Sequence, residues 1–279
     1  MEIFLYDRIM KEVPYPLGTK KGTKMPVQKL TIISLGCLEH DKGILLAGKS
    51  GLIVSPMLAY LIETDEARIL YDCGPDPEVV ENPSKCWKGL LKLFQPKIAP
   101  SDHIVQRLGK INLQPDDIDY VVQSHLHFDH AGGLRFFRKS KIIVHRDEYR
   151  FAHNPDPYFK GGYLLKDFNY PDLNWEFIDG DKVLLPGVMI VLTHGHTPGH
   201  LSLVVDLARE GTIVIAADCI GLKENMEKMI LAGTCWNPTL AYQAILRLQT
   251  IAGRSHGQIW PNHDFAFWQG LKKSPEFYT

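Results

Sequence analysis

Four potential metal ligands fall within six residues in the segment Val121–Gly133, VVQSHLHFDHAGG: His125, His127, Asp129 and His130. An apolar run leads into them and a glycine pair follows. On extended chain, side chains alternate, so His125 and His127 share one side. The turn into Ala131–Gly133 can carry Asp129 and His130 toward a second position nearby. Imidazole and carboxylate ligands suit zinc and its first-row neighbours, and a catalytic site leaves one coordination position open to water. A lone histidine is better read as a hydrogen-bonding loop residue. Four ligands this close reverse that preference.

Three further segments carry the same signal at strand ends. Thr193–His200, THGHTPGH, follows the apolar run Val188–Leu192 and offers His194, His196 and His200. Its Gly195, Pro198 and Gly199 imply a tight turn that splays side chains, so at most one or two of these can reach a metal. Thr212–Asp218, TIVIAAD, delivers Asp218 at the end of a buried strand, where it suits a turn cap as well as a metal. In Ile259–Asp264, IWPNHD, a short apolar strand leads to His263. Four strand ends bearing His or Asp amount to a pocket at one rim of a sheet structure. Asp72, in LYDCG, is read as orienting a metal-binding histidine from behind. Cys219 is read as a buried thiol, and His103, His145, His153 and His256 as surface or structural. Phe128, Trp87 and Phe94 divide between core and a groove beside the site.

The elements that must hold these residues are mostly strands. Short β-branched runs recur at Lys29–Leu35, Leu58–Glu63, Arg68–Tyr71, Tyr120–Gln123, Lys141–Val144, Val188–Leu192, Leu201–Val205 and Thr212–Ile215. The clearest helix is Pro238–Ala252, with Asn237 as cap, Pro238 in the first turn, Leu240, Ala244, Ile245 and Leu248 on one face, and Gly253 as its stop. Shorter helices are expected at Asp102–Leu108, Leu134–Arg138 and Asp147–Ala152. Strands and helices mix through both halves without a linker, so residues 1–279 read as one domain. Glu81–Ser101 breaks the strand rhythm and is read as an inserted flap.

Lys and Arg total 31 against 32 Asp and Glu, so the net charge of −1 gathers neither nucleic acid nor an anionic membrane. The opening MEIFLYDRIMKEVPYPLG is interrupted by Glu2, Asp7, Arg8 and Lys11, and reads as neither signal peptide nor membrane span. Five scattered cysteines without a CxxC pair argue for a reducing compartment, taken as the cytoplasm. A homodimer is compatible with the sequence.

The HxHxDH run at His125–His130, the later THGHTPGH, Asp218 and His263 together resemble the metallo-β-lactamase superfamily. The resemblance implies an α+β fold, an αββα sandwich of two facing mixed β-sheets flanked by helices. Carried over by motif, it places His125, His127 and His196 on one divalent ion, Asp129, His130 and His263 on a second, and Asp218 between them. Zinc is the expected metal, and iron, cobalt or manganese would also be accepted. LIETDEARILYDCG, SHLHFDHAGG, PNHD and the terminal SPEFYT are similar to the N-acyl homoserine lactone lactonases. That closer likeness implies a small lactone substrate, N-acyl-L-homoserine lactone, opened by hydroxide shared between the ions, with Asp129 passing the proton to the leaving ring oxygen. Many of those lactonases place a Tyr three residues after the bridging Asp, where this chain has Gly221. Lactonases of other rings, such as pyridoxolactone, and glyoxalase-II-type thioesterases are the alternatives. Di-iron flavoproteins of the fold usually carry Glu where this chain has His127 and append a flavin domain, and nucleases of the superfamily normally add a nucleic-acid-binding insertion or a basic surface.

Overall fold

The computed structural model describes residues 27–279, and the reading of the opening segment lies outside them. Two strands open it, β1 (Val27–Asp41) and β2 (Leu52–Thr64), much longer than the apolar runs that announce them. They pair antiparallel along almost their full length, with a register shift between Ser34 and Cys37. β3 (Arg68–Tyr71), β4 (Phe94–Lys97), β5 (Tyr120–Val122), β6 (Lys141–His145) and β7 (Asn174–Ile178) complete a seven-stranded sheet in the order β4-β1-β2-β3-β5-β6-β7. β8 (Lys182–Leu185), β9 (Val188–Leu192), β10 (Leu201–Leu207), β11 (Gly211–Ile215) and β12 (Gln258–Trp260) form a second sheet in the order β12-β11-β10-β9-β8. Both sheets mix parallel and antiparallel pairs.

Period-2 alternation stacks these sheets. In β2, Leu58, Tyr60 and Ile62 join a buried cluster with Leu203 and Val205 of β10 and Ile213 and Ile215 of β11. The intervening Met57, Ala59 and Leu61 face the opposite way, into a cluster with Trp87, Leu108, Phe137 and Phe168. Beyond the second sheet, Val204 and Val214 meet Ala244, Ile245, Leu248 and Ile251 of the long helix. Sequence alternation thus produces helices, sheet, sheet and helix in layers, the αββα sandwich.

Asn237 caps the long helix as expected, its side chain accepting from Leu240 N at 3.1 Å. The helix nevertheless spans Pro238–Ser255, because Gly253 continues it and His256 ends it in the left-handed region at φ 53°. Glu81–Ser101 is not a detached flap: it holds the helix Pro83–Cys86 and β4, which pairs with Cys37–His40 of β1. Expected helices appear at Ile104–Gly109 and Arg146–His153, whereas Leu134–Phe136 is a single 3-10 turn. Among the described residues, no helix is long and apolar enough to cross a membrane.

Candidate metal centre

Five strands end at one rim. β3 runs into Asp72, β5 into His125–His130, β9 into His194–His200, β11 into Asp218 and β12 into His263. The seven residues expected to bind metal all meet there, in three groups whose ligand atoms lie within 4.8 Å of one another: His125, His127 and His196; His125, His130 and Asp218; Asp129, His130 and His263. His127 Nδ1 lies 3.0 Å from His125 Nε2 and 3.1 Å from His196 Nε2. The two oxygens of Asp218 divide the site. Oδ2 is 3.4 Å from His196 Nε2 and 3.9 Å from His125 Nε2, while Oδ1 is 3.2 Å from His130 Nε2 and 3.0 Å from His263 Nε2. Asp129 Oδ2 closes the second group, 3.7 Å from His130 Nε2 and 4.0 Å from His263 Nε2.

Partners behind the rings decide which nitrogens face inward. The Ser124 hydroxyl is 2.7 Å from Asp72 Oδ2, and a carboxylate can only accept, so the hydroxyl gives its single proton there. It therefore accepts from His125 Nδ1 at 2.9 Å, leaving His125 Nε2 bare. His130 Nδ1 donates to Asp72 Oδ2 at 2.7 Å and His263 Nδ1 to the Pro56 carbonyl at 2.9 Å. Asp72 thus stands behind His130, the place expected of it, and its backbone adopts φ 59° to do so. His200 stays off the inner face: its Nε2 accepts from the Asp218 amide at 3.1 Å, and burial pushes its pKa down to about 3. His194 is half-buried and belongs to none of the groups.

Electrostatics fit a divalent cation. Burial and neighbouring imidazoles hold His125 and His127 well below the ordinary histidine pKa, so both are neutral ligands. Burial also opposes charge on His130, but Asp218, Asp129 and Asp72 outweigh it and hold the pKa well above its ordinary value. His263 is raised by Asp218 and Asp129 against the same burial. Burial alone would raise Asp218, and His263 and His130 pull it well below the usual carboxylate range. Without a cation, protons on these two rings balance the carboxylates, and a bound cation would displace them. His130 Nε2, buried and misaligned for a hydrogen bond, points the same way.

Two features at the rim escaped sequence reasoning. Glu148, fully buried, accepts from Leu126 N at 3.0 Å, Gly199 N at 3.2 Å and Tyr163 Oη at 3.1 Å, tying the two histidine loops together. The other is a buried pair, His40 and Ser55, whose imidazole Nε2 and hydroxyl lie 2.8 Å apart. Gly195 is required where it stands: at φ 138°, its missing Cβ would lie 2.2 Å from Ala241 N in the long helix.

A cavity of about 290 Å³ opens onto the rim, with Asp129, His196, Asp218 and His263 at one end and Leu38, Leu90, Leu93, Phe94 and Phe128 along its walls. Trp87 packs behind Phe128, ring centres 4.9 Å apart, as core. Cys219 is buried, as expected. At Gly221 a Cβ would sit 3.2 Å from Leu45 Cδ2, so Leu45 occupies the corner from which a residue-221 side chain would project.

Comparison with known proteins agrees with this geometry. The family model of the metallo-beta-lactamase superfamily matches residues 54–233. An N-acyl homoserine lactonase of Bacillus thuringiensis is 36% identical over 260 residues, covering 91% of this chain and 100% of that protein. One from Rhizobium radiobacter is 32% identical over 230 residues, 80% of this chain and 88% of its own. A solved N-acyl homoserine lactone hydrolase, with the product N-hexanoyl-L-homoserine at its catalytic metal centre, aligns with a TM-score of 0.83 at 33% identity, over 91% of this chain and 100% of that one. The chain belongs to the metallo-β-lactamase superfamily, in the family of its N-acyl homoserine lactonases.

Proposed function

We propose that this protein hydrolyses the ring of N-acyl-L-homoserine lactones using two divalent ions, and that zinc fits its donor set. Asp218 carries the reading, with one carboxylate oxygen toward His125 and His196 and the other toward His130 and His263. His125, His127 and His196 would hold one ion, Asp129, His130 and His263 the other, and Asp218 both. Bound there, such ions supply Lewis acidity, which polarises a carbonyl and can lower the pKa of water from about 15.7 to near 7.

The chain's own groups do the rest. Asp129, whose side chain is 11% exposed and opens onto the cavity, takes a proton from the attacking water. Water oxygen bonds to the lactone carbonyl carbon, the ring C–O bond breaks, and the same proton passes from Asp129 to the departing ring oxygen. The products are an alcohol and a carboxylic acid, and the acid ionises at neutral pH. Leu90, Leu93, Phe94 and Phe128 offer an apolar wall to an acyl chain.

The test is a pH-stat assay of the zinc-loaded protein on N-acyl homoserine lactones, other γ- and δ-lactones, a thioester and a β-lactam. Acid release from the homoserine lactones is expected, and release from the thioester or β-lactam alone would overturn the reading. Gly221 favours one second reading, a lactone of another ring, which the same panel separates. We further read residues 1–279 as one cytoplasmic domain, monomeric or homodimeric, without a nucleic-acid partner. The balanced charge supports the last point.

A further inference from the structure

His40 and Ser55 sit diagonally across the β1–β2 ladder, where His40 pairs with Ile53 and Leu38 with Ser55. Both line the cavity, and both are buried, at 3% and 1% exposure. Ser55 precedes Pro56, whose carbonyl holds His263, so this hydroxyl flanks the metal centre along the chain. His40 Nδ1 lies 3.0 Å from the Asp41 carbonyl oxygen. That oxygen can only accept, so Nδ1 carries the proton, and burial holds the imidazole neutral, its pKa below the ordinary value. Nε2 is then an acceptor and takes the Ser55 hydroxyl proton at 2.8 Å. Ser55 Oγ is left with lone pairs only. It is a fixed acceptor in a cavity whose lining also includes the apolar Leu38, Ile44, Leu45 and Leu90. Thr234, another hydroxyl lining the cavity, is exposed and faces the Ile44 carbonyl at 3.5 Å.

An acceptor with its own proton committed recognises a donor. An acylamino lactone carries one such group, the amide N–H beside the ring. Resting on the lactonase reading above, we propose that Ser55, oriented by His40, is a specificity-determining residue that accepts this N–H, so that the enzyme selects lactones bearing an acylamino substituent over lactones without one. Sites built to hydrogen-bond a substrate group reject analogues lacking it far more strongly than apolar pockets reject a methylene, because the polar group is then left unpaired.

The experiment compares N-hexanoyl-L-homoserine lactone with its carbon analogue, in which CH2 replaces the amide N–H and the ring remains the sole hydrolysable bond. In zinc-loaded wild type, kcat/KM is expected to favour the amide by ~10–100-fold. Ser55→Ala narrows that ratio by roughly tenfold, mainly through KM for the amide. His40→Phe narrows it too, because the freed hydroxyl can rotate to donate. Circular dichroism verifies each fold, and Ser55→Cys, similar in size but a weaker acceptor, replaces Ser55→Ala should that variant not fold. A ratio near one in wild type, or one unchanged in folded Ser55 variants, overturns the assignment while leaving the lactonase reading standing. No turnover of either compound by the loaded wild type overturns both.

Discussion

Two regions of this molecule bury carboxylates, and they solve the problem of charge in opposite ways. At the rim, Asp72, Asp129 and Asp218 face imidazoles and, among the described residues, no lysine or arginine. About the Glu78–Glu81 helix, Asp76 is fully buried but faces Lys166 Nζ and, at 3.0 Å, Arg135. Asp76, Glu78 and Cys86 also lie close enough together to hold a metal ion. There, however, Lys166 Nζ reaches Asp76, Asp167 Oδ1 at 3.2 Å and Cys86 Sγ at 3.1 Å, and stands where a cation would. Burial opposes ionisation of Asp76, and Lys166 and Arg135 outweigh it. Buried charge must be paired. The lysine cluster brings its own cation, whereas the histidine rim sets only imidazole protons against its carboxylates, and a bound metal ion can displace those protons, which marks the rim as the candidate metal centre.

Four changes probe that contrast. Asp218→Ala should have the largest effect, lowering kcat/KM by ~10³-fold or more, about 4 kcal/mol of transition-state stabilisation, together with bound metal measured by emission spectrometry. Asp129→Asn should lower kcat by ~10²–10⁴-fold, the range for a lost proton-transfer group, with an unchanged circular dichroism spectrum. Lys166→Met should do the reverse. It leaves Asp76 buried without a main partner and costs about 2–3 kcal/mol in urea unfolding, less than a fully buried pair because Lys166 is partly exposed, while metal content stays at the wild-type level.

Asp167→Asn gives the smallest effect, and one that depends on pH. Burial raises the Asp167 pKa to about 7, above its value in the unfolded chain, outweighing the opposite pull of Lys166 Nζ, 3.2 Å from Oδ1. A carboxyl with a raised folded pKa favours the folded state at low pH. Stability is lost as pH rises from the unfolded pKa of ~3.9 through the folded one. Asn does not titrate, so the variant should gain about 1–3 kcal/mol over wild type at pH 8, shrinking toward nothing at pH 4. A gain independent of pH would mean that Asp167 is not buried with a raised pKa.

The rim was legible in sequence because each ligand follows an apolar strand, and strand ends of an open sheet structure gather at its edges. Asp72 could be given its place behind a histidine from the same pattern. The lysine cluster was not legible, since Asp76, Lys166 and Arg135 are far apart in the chain and carry no motif. β4 was missed because it is four residues long, contains Pro96 and relies on β1 for its definition. β7 and β8 are partly exposed and lack a clean alternation. His40 reaches Ser55 only through the β1–β2 register, which includes an irregularity before Cys37 that no periodicity announces. Gly253 misled because a glycine near a helix end suits a stop, yet an exposed glycine in the last turn is tolerated at a cost of about 1 kcal/mol.

The central claim is that the histidine rim takes up cations from outside and that Asp218 is shared between two of them. Metal stoichiometry tests it most directly, measured by emission spectrometry on protein equilibrated with zinc and freed of excess. About two zinc ions per chain are expected in wild type and in Lys166→Met, falling to one or fewer in Asp218→Ala. Wild type holding one ion or none, or Asp218→Ala retaining two, would contradict it.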